Sequence, residues 1–192
     1  MSGPLAEPWH ALIGGLLGPA ERALLLSVAD SVGWALIDEG PEPRVGPAGY
    51  QSIGGRRQGR AAIHDEGLAA ALWARVRIAL PPLPGGRAPR AMNPRLRFYA
   101  SEPGQSFPAH TDGAWWPTPT TASALTLLVY LSEGYEGGET AFLDPPLTLS
   151  VEPGDALIFP HGRWHEGRAP TSGRKVVLRT DLLYDAAPGA VG

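Results

Sequence analysis

The 192 residues contain five histidines and eight aspartates, and in the stretch FPAHTDGAWW two of them, His110 and Asp112, stand two positions apart. Imidazole nitrogen and carboxylate oxygen are both ligands for first-row metals. Side chains at i and i+2 of an extended segment project from one face, so this pair can reach a common ion at the end of a β-element. A His-x-Asp arises by chance in about one such sequence in five, so spacing alone does not make a site. His64-Asp65-Glu66 shows the contrast. Its acids stand where a helix is expected to begin, a position that favours negative charge for structural reasons.

A third ligand must come from elsewhere. His165, in FPHGRWHEGRAPTSGRKVVLRTD, lies beside expected β-structure and is followed by Gly167 and a strongly patterned strand. His161 competes for the role, but it falls in the turn Pro160-His161-Gly162. Two histidines and one carboxylate on one face of an ion leave three coordination positions open, the facial arrangement used by non-haem ferrous oxygenases. A structural zinc site would be closed by four protein ligands, and the chain has no cysteine to supply thiolates.

These residues need a scaffold. The stretch GPAERALLLSVADSV, residues 18–32, repeats apolar positions at helical spacing behind a proline suited to a first turn, and 64–80 form a second helix with acids early, arginines late and PPLP beyond. Between them, residues 39–60 are rich in Gly, Pro and Arg and read as a loop. From residue 95 the pattern changes to short apolar or alternating runs, RLRFYAS, SALTLLVYLS, ETAFLD, LTLSVEP, DALIFP and KVVLRTDLLY, separated by turn residues. The expectation is a mainly β (α+β) chain of one domain over 1–192: an N-terminal helical support, 1–90, packed on an antiparallel β sandwich or barrel, 91–185.

The β half resembles the prolyl-4-hydroxylase-like branch of the iron(II)/2-oxoglutarate-dependent dioxygenases, in RFYASEPGQSFPAHTDG, LTLLVYLSEGYEGGETAF, PGDALIFPHGRWHEG and GRKVVLRTDLLY. The resemblance covers about half the chain, with the segments in the family's order. It implies a double-stranded β-helix (jelly-roll, cupin-like) core, with Fe(II) held by His110, Asp112 and His165. It further implies 2-oxoglutarate as co-substrate, O2 as oxidant, and conversion of both to succinate and carbon dioxide as a substrate C–H bond is hydroxylated. In this family a basic side chain about ten residues after the distal histidine pairs with the far carboxylate of 2-oxoglutarate. Lys175, the sole lysine, stands there, with Arg179 on the same strand face and Arg174 as the choice if the register slips by one. Tyr99 resembles the family tyrosine that reaches the co-substrate, and Arg97 shares its face. A carboxylate at 112 also argues for hydroxylation, since halogenating relatives lack a ligand at that position. Ring formation or desaturation stays open.

Substrate residues are the least legible. Trp115 and Trp116 follow the His-x-Asp and can wall a binding site or cap a core, while Arg56, Arg57 and Arg60 can engage a carboxylate or phosphate or stand as solvated charge. The partner is expected to be a small molecule or a peptide, with the oligomeric state undetermined. A net charge of −3 without a basic block argues against nucleic acid, and the absence of a basic n-region or a long apolar run points to a soluble cytoplasmic protein with no membrane association. Two other readings compete: a cupin-like metalloenzyme that does not use 2-oxoglutarate, and a non-catalytic binding module. Lys175 separates the first from the oxygenase, because only a keto-acid enzyme needs a cation at that depth.

Overall fold

A computed structural model describes residues 9–40, 44–45, 47, 51–52 and 55–187. Residues 1–8, and most of 41–54 within the expected loop, lie outside the described residues. The chain runs β1 (Ala11–Ile13), α1 (Pro19–Val32), β2 (Ala35–Glu39), β3 (Arg44–Val45), β4 (Gln51–Ser52), β5 (Arg56–His64), then α2 (Glu66–Val76) with a 3-10 turn behind it. There follow β6 (Pro89–Met92), β7 (Arg95–Ser101), β8 (Phe107–His110), β9 (Thr121–Tyr130), β10 (Glu136–Gly137) and β11 (Thr140–Leu143). The last strands are β12 (Pro146–Leu149), β13 (Ala156–Pro160), β14 (His165–Gly167), β15 (Pro170–Ser172) and β16 (Lys175–Asp185).

The main sheet has the order β1-β13-β9-β16-β7-β5-β2, with β6 also paired to β16, and a smaller sheet has the order β12-β11-β14-β8. All pairings are antiparallel. The two sheets face one another as a jelly-roll. Strict alternation along the central strands divides their side chains between two environments. On one face Leu125, Leu127 and Val129 of β9, Val176, Leu178 and Leu182 of β16, and Leu96 and Phe98 of β7 meet Leu25 and Ala29 of α1 and Leu72 and Val76 of α2. On the other, Leu128 and Tyr130 of β9 and Leu157 and Phe159 of β13 meet Phe142 of the small sheet. The charged residues Arg95 and Arg97 of β7 and Lys175, Arg179 and Asp181 of β16 lie on this second face, between the sheets. Because β9 is covered on both sides, its second half reads as a nearly continuous apolar run.

Local chemistry sets the helix ends. Asp65 caps α2 by accepting from Leu68 N at 2.9 Å, and Glu21 accepts from Gly18 N at 2.9 Å while pairing with Arg75 of α2 at 2.6 Å. The acids of His64-Asp65-Glu66 thus stand at a helix start, whereas His64 itself ends β5. The loop expected over 39–60 contains the end of β2 and the beginning of β5, which pair from Ala35↔Arg60 to Glu39↔Arg56. These strands were hidden because the face of β5 carrying Arg56, Gln58 and Arg60 looks into a polar cleft, so the strand lacks an apolar signature. Residue 90 does not separate helices from sheet, since β1, β2 and β5 all join the main sheet. Among the described residues no helix is long and apolar enough to cross a membrane.

Candidate active site

β8 and β14 are antiparallel neighbours with His110 directly opposite His165. Opposed residues of an antiparallel pair share a face, and the two imidazole centroids stand 4.3 Å apart. Asp112 follows just beyond β8, where its N–H donates to His161 O at 2.8 Å and holds the turn against the end of β13 in the main sheet. His110 Nδ1 donates to Pro108 O and His165 Nδ1 to Arg163 O, both at 2.9 Å. That leaves each Nε2 with its lone pair toward Asp112, 3.8 Å from Oδ1 and Oδ2 respectively. One donor atom from each of the three residues lies within 4.8 Å of the others.

The charge states suit a cation. Burial, then the neighbouring His165, pushes His110 down to about 3, and burial lowers His165 as well. Burial alone would raise the Asp112 carboxyl, but Arg179, His165, the Thr126 hydroxyl and His110 outweigh it and hold it well below the usual carboxylate range. At neutral pH the cluster is therefore two neutral imidazoles and one carboxylate, the deprotonated donor set a divalent metal requires.

Behind Asp112 runs a hydrogen-bond chain. Thr126 Oγ1 donates to Asp112 Oδ2 at 2.5 Å, and since its one proton is committed there, it accepts from His161 Nδ1 at 2.9 Å. His161 Nε2 is then an acceptor, taking the proton of Ser123 Oγ at 3.0 Å, and Ser123 Oγ accepts from Trp115 N at 2.8 Å. His161 is thus a support of the carboxylate and not a ligand.

Two cavities meet at the cluster. One, of about 60 Å³, is lined by His110, His165, Tyr99, Thr140, Val177 and Lys175. Lys175 is only 6% exposed, and its Nζ donates to Gly138 O at 2.5 Å. A side chain at Gly138, whose φ is 69°, would crowd Lys175 Cδ at 3.1 Å, so the GGET turn must be glycine here to let the lysine pass. Burial lowers the Lys175 ammonium to about 8, with Glu139 opposing. The other cavity, about 450 Å³, touches Asp112 and is lined by Arg56, Arg60, Arg95, Arg97, Trp115 and Asp181, among others. Arg179 borders both, pairing with Asp112 at 2.7 Å and Asp181 at 3.2 Å. Arg97 stands opposite Arg179 across β7 and β16, a like-charge pair made tolerable by Asp181, which Arg97 contacts at 2.6 Å.

Residues 95–180 match the family model described as the 2OG-Fe(II) oxygenase superfamily. The likeness to that superfamily extends over a little under half of the chain. The matched segment spans β7 to β16 and includes all three residues of the cluster and Lys175. Among solved structures, a viral collagen prolyl hydroxylase from Paramecium Bursaria Chlorella virus-1 is similar at 16% identity and a TM-score of 0.65, over 97% of this chain and 95% of that one. A prolyl-4-hydroxylase from Pseudomonas putida is similar at 16% identity and a TM-score of 0.60, over 90% and 91% of the two chains. SnoK, a non-haem alpha ketoglutarate dependent carbocyclase from nogalamycin biosynthesis, is similar at 15% identity and a TM-score of 0.62, over 97% and 88%. At these identities the likeness is one of fold, in keeping with the prolyl-4-hydroxylase-like branch. No curated protein matches the sequence.

The Fe(II) and 2-oxoglutarate of that superfamily's description fit the donor set of His110, Asp112 and His165 and the enclosed cation of Lys175. The structure brings His110, Asp112, His165, Lys175, Tyr99, Arg179, Arg97, Arg56, Arg60 and Trp115 to the two cavities. It leaves out the other three. Arg174 points away from Lys175, pairing with Glu102 at 3.2 Å and lying over Trp34 at 4.7 Å. Arg57, exposed on the opposite face of β5 from Arg56, stands 3.8 Å from Asp38. Trp116 is half-buried and lines neither cavity. Sequence reasoning missed Thr126, Ser123, Arg95 and Asp181. Alternation places Asp181 on the face of Lys175 and Arg179, the one signal in the sequence that marks it.

Proposed function

We propose that this protein is a 2OG-Fe(II) oxygenase, a hydroxylase acting on a C–H bond of a small molecule or of an amino-acid or peptidyl side chain. His110, Asp112 and His165 hold the iron, and Lys175 holds the far carboxylate of 2-oxoglutarate. Iron with its co-substrate supplies oxidising power from O2, while the chain positions the reacting carbon and limits access of water. The donor set fits: two lone pairs and one carboxylate converge from one side, leaving the other open.

The observation that carries this reading is the state of Lys175. Of the three cations bordering the small cavity, Arg168 pairs with Glu166 and Arg179 with Asp112 and Asp181. Lys175, the most enclosed of them, is in contact with no carboxylate among the described residues, and Glu139 acts on it only through space. A buried ammonium without an acid is costly unless an anion completes it, and a dicarboxylate reaching inward from the histidines does so. A cupin-like enzyme without a keto acid gives no reason for such a cation. Tyr99, on the strand between Arg97 and Ser101 and facing the same cavity, supports the co-substrate's flank. Arg179 orients Asp112 and is not free to take the distal carboxylate.

The assay is succinate formation from 2-oxoglutarate in air with added ferrous iron, comparing wild type, Asp112→Ala and Lys175→Ala. Wild type is expected to turn over slowly even without its own substrate and both variants to lose iron-dependent turnover. Equal behaviour of all three, with no iron-dependent binding of 2-oxoglutarate, would overturn the assignment. Products of oxygenation, screened as a gain of one oxygen in mass, distinguish hydroxylation from desaturation or ring closure.

A further inference from the structure

The large cavity on the Asp112 side of the cluster has a charge pattern unlike that of the molecule, whose net charge is −3. Five guanidiniums, those of Arg56, Arg60, Arg95, Arg97 and Arg179, line it against two carboxylates, Asp112 and Asp181. Both acids are already engaged: Asp112 by Arg179, and Asp181 by Arg97, Arg179 and Asn93 Nδ2 at 3.0 Å. Arg56 lies over the Phe107 ring at 3.9 Å, 3.8 Å from Glu39, and the Gln58 amide oxygen, turned toward it, accepts from its Nη2 at 2.7 Å. Arg60 and Arg95 have no acid partner among the described residues, and the two remaining titratable side chains of the lining, His64 and Tyr99, add no carboxylate.

The strand register explains why these charges gather. β5 and β7 pair Arg60 with Tyr99, Ala62 with Arg97 and His64 with Arg95, so alternate positions of both strands look into the same cleft. Like charges clustered on one sheet face oppose folding, and they are gathered here without enough acids to balance them. Excess positive charge in a concave site raises the local concentration of anions, and guanidinium forks match the geometry of carboxylates and phosphates. The volume is that of a small-molecule site.

We infer that the oxygenase acts on a small molecule bearing an oxyanion, a carboxylate or phosphate, which Arg60 and Arg95 bind in the cleft of β5 and β7. Trp115, 43% exposed, lines the same cleft, and Arg97 stands between the two arginines. This assignment of substrate class rests on the oxygenase reading above, but anion binding is measurable separately from it.

The test is calorimetric titration of the full chain, loaded with ferrous iron and 2-oxoglutarate in the absence of O2. The probes are benzoate, phenyl phosphate and the neutral benzamide. At least one of the two anions is expected to bind tenfold or more tightly than benzamide, by about the strength of one charge-assisted hydrogen bond, and to weaken as salt is raised. Tighter benzoate assigns the carboxylate class, and tighter phenyl phosphate the phosphate class. Arg60→Gln and Arg95→Gln are each expected to lower anion affinity about tenfold and to shift 2-oxoglutarate affinity by less. Benzamide binding as tightly as the better-bound anion, or no binding of either anion, would overturn the inference. So would variants that weaken 2-oxoglutarate as much as the probes, which would make these arginines an entrance for the co-substrate. If wild type binds the anions but shows no iron-dependent affinity for 2-oxoglutarate, the oxygenase reading fails while the anion site stands.

Discussion

Replacing Lys175 with Met should make the metal-free protein more stable and unable to hold its co-substrate. The two side chains have similar length and bulk, so the exchange removes the charge without opening a large cavity. Burial lowers the ammonium from an ordinary 10.5 to about 8, which corresponds to about 3 kcal/mol of cost for keeping it charged in the folded state. Loss of the bond to Gly138 O returns about 1 kcal/mol of that. At pH 7 the variant is therefore expected to be about 2 kcal/mol more stable, or roughly 4–8 °C in Tm for a chain of this size.

The sign follows from proton counts. Between about 8 and 10.5 the unfolded lysine keeps a proton that the folded one has released, so wild-type stability rises with pH across that window and the cost is present in full below it. The difference between the two proteins should therefore fall from about 2 kcal/mol in favour of Met at pH 7 to about 1 kcal/mol in favour of Lys near pH 10.5. Taking the difference cancels Tyr130 and Tyr184, which burial raises well above the ordinary tyrosine range and which erode stability at high pH in both proteins. Urea denaturation of each protein from pH 7 to 10.5 measures this. A variant no more stable than wild type at pH 7, with a pH-independent difference, would refute the picture of a buried lysine awaiting an anion. Saturating 2-oxoglutarate with iron, at a hundred times its Kd, should add about 2.7 kcal/mol to wild type and nothing to the variant.

Three further outcomes follow from the same geometry. Thr126→Val removes the hydroxyl between Asp112 and His161 and should weaken ferrous ion binding by about ten- to a hundredfold while Thr126→Ser restores it, as read by metal titration. Arg174→Gln and Arg57→Gln, whose side chains point away from both cavities, should leave succinate formation within about twofold of wild type, since exposed pairs contribute little; a collapse of activity in Arg174→Gln would return that residue to the co-substrate. Leu178→Ala, in the helix-facing core of β16, should cost about 2–5 kcal/mol in denaturant unfolding with an unchanged 2-oxoglutarate affinity, because its neighbours on the strand and not itself face the site.

The parts of this protein that the sequence alone determined are those with a short-range cause. His110 and Asp112 are two residues apart, so an extended backbone commits them to one side whatever surrounds them. The alternation of KVVLRTD put Lys175 and Arg179 on one face and Val176 and Leu178 on the other for the same reason, and Asp65 marked a helix start through its own side chain. The choice of His165 over His161 was legible from the turn around Pro160, but what His161 does was not. Tertiary structure alone decided the rest. β5 is a strand because β2 and β7 satisfy its backbone on both sides, although its Arg and Gly content resembles a loop. Arg179 is tied to Asp112, Arg174 is turned toward Glu102 and Trp34, and Trp115, not Trp116, reaches the cleft, because strands and turns far apart in the chain are brought side by side. Charge pairing and cavity shape depend on neighbours across the sheets, and a linear sequence carries no local mark of which neighbours those are.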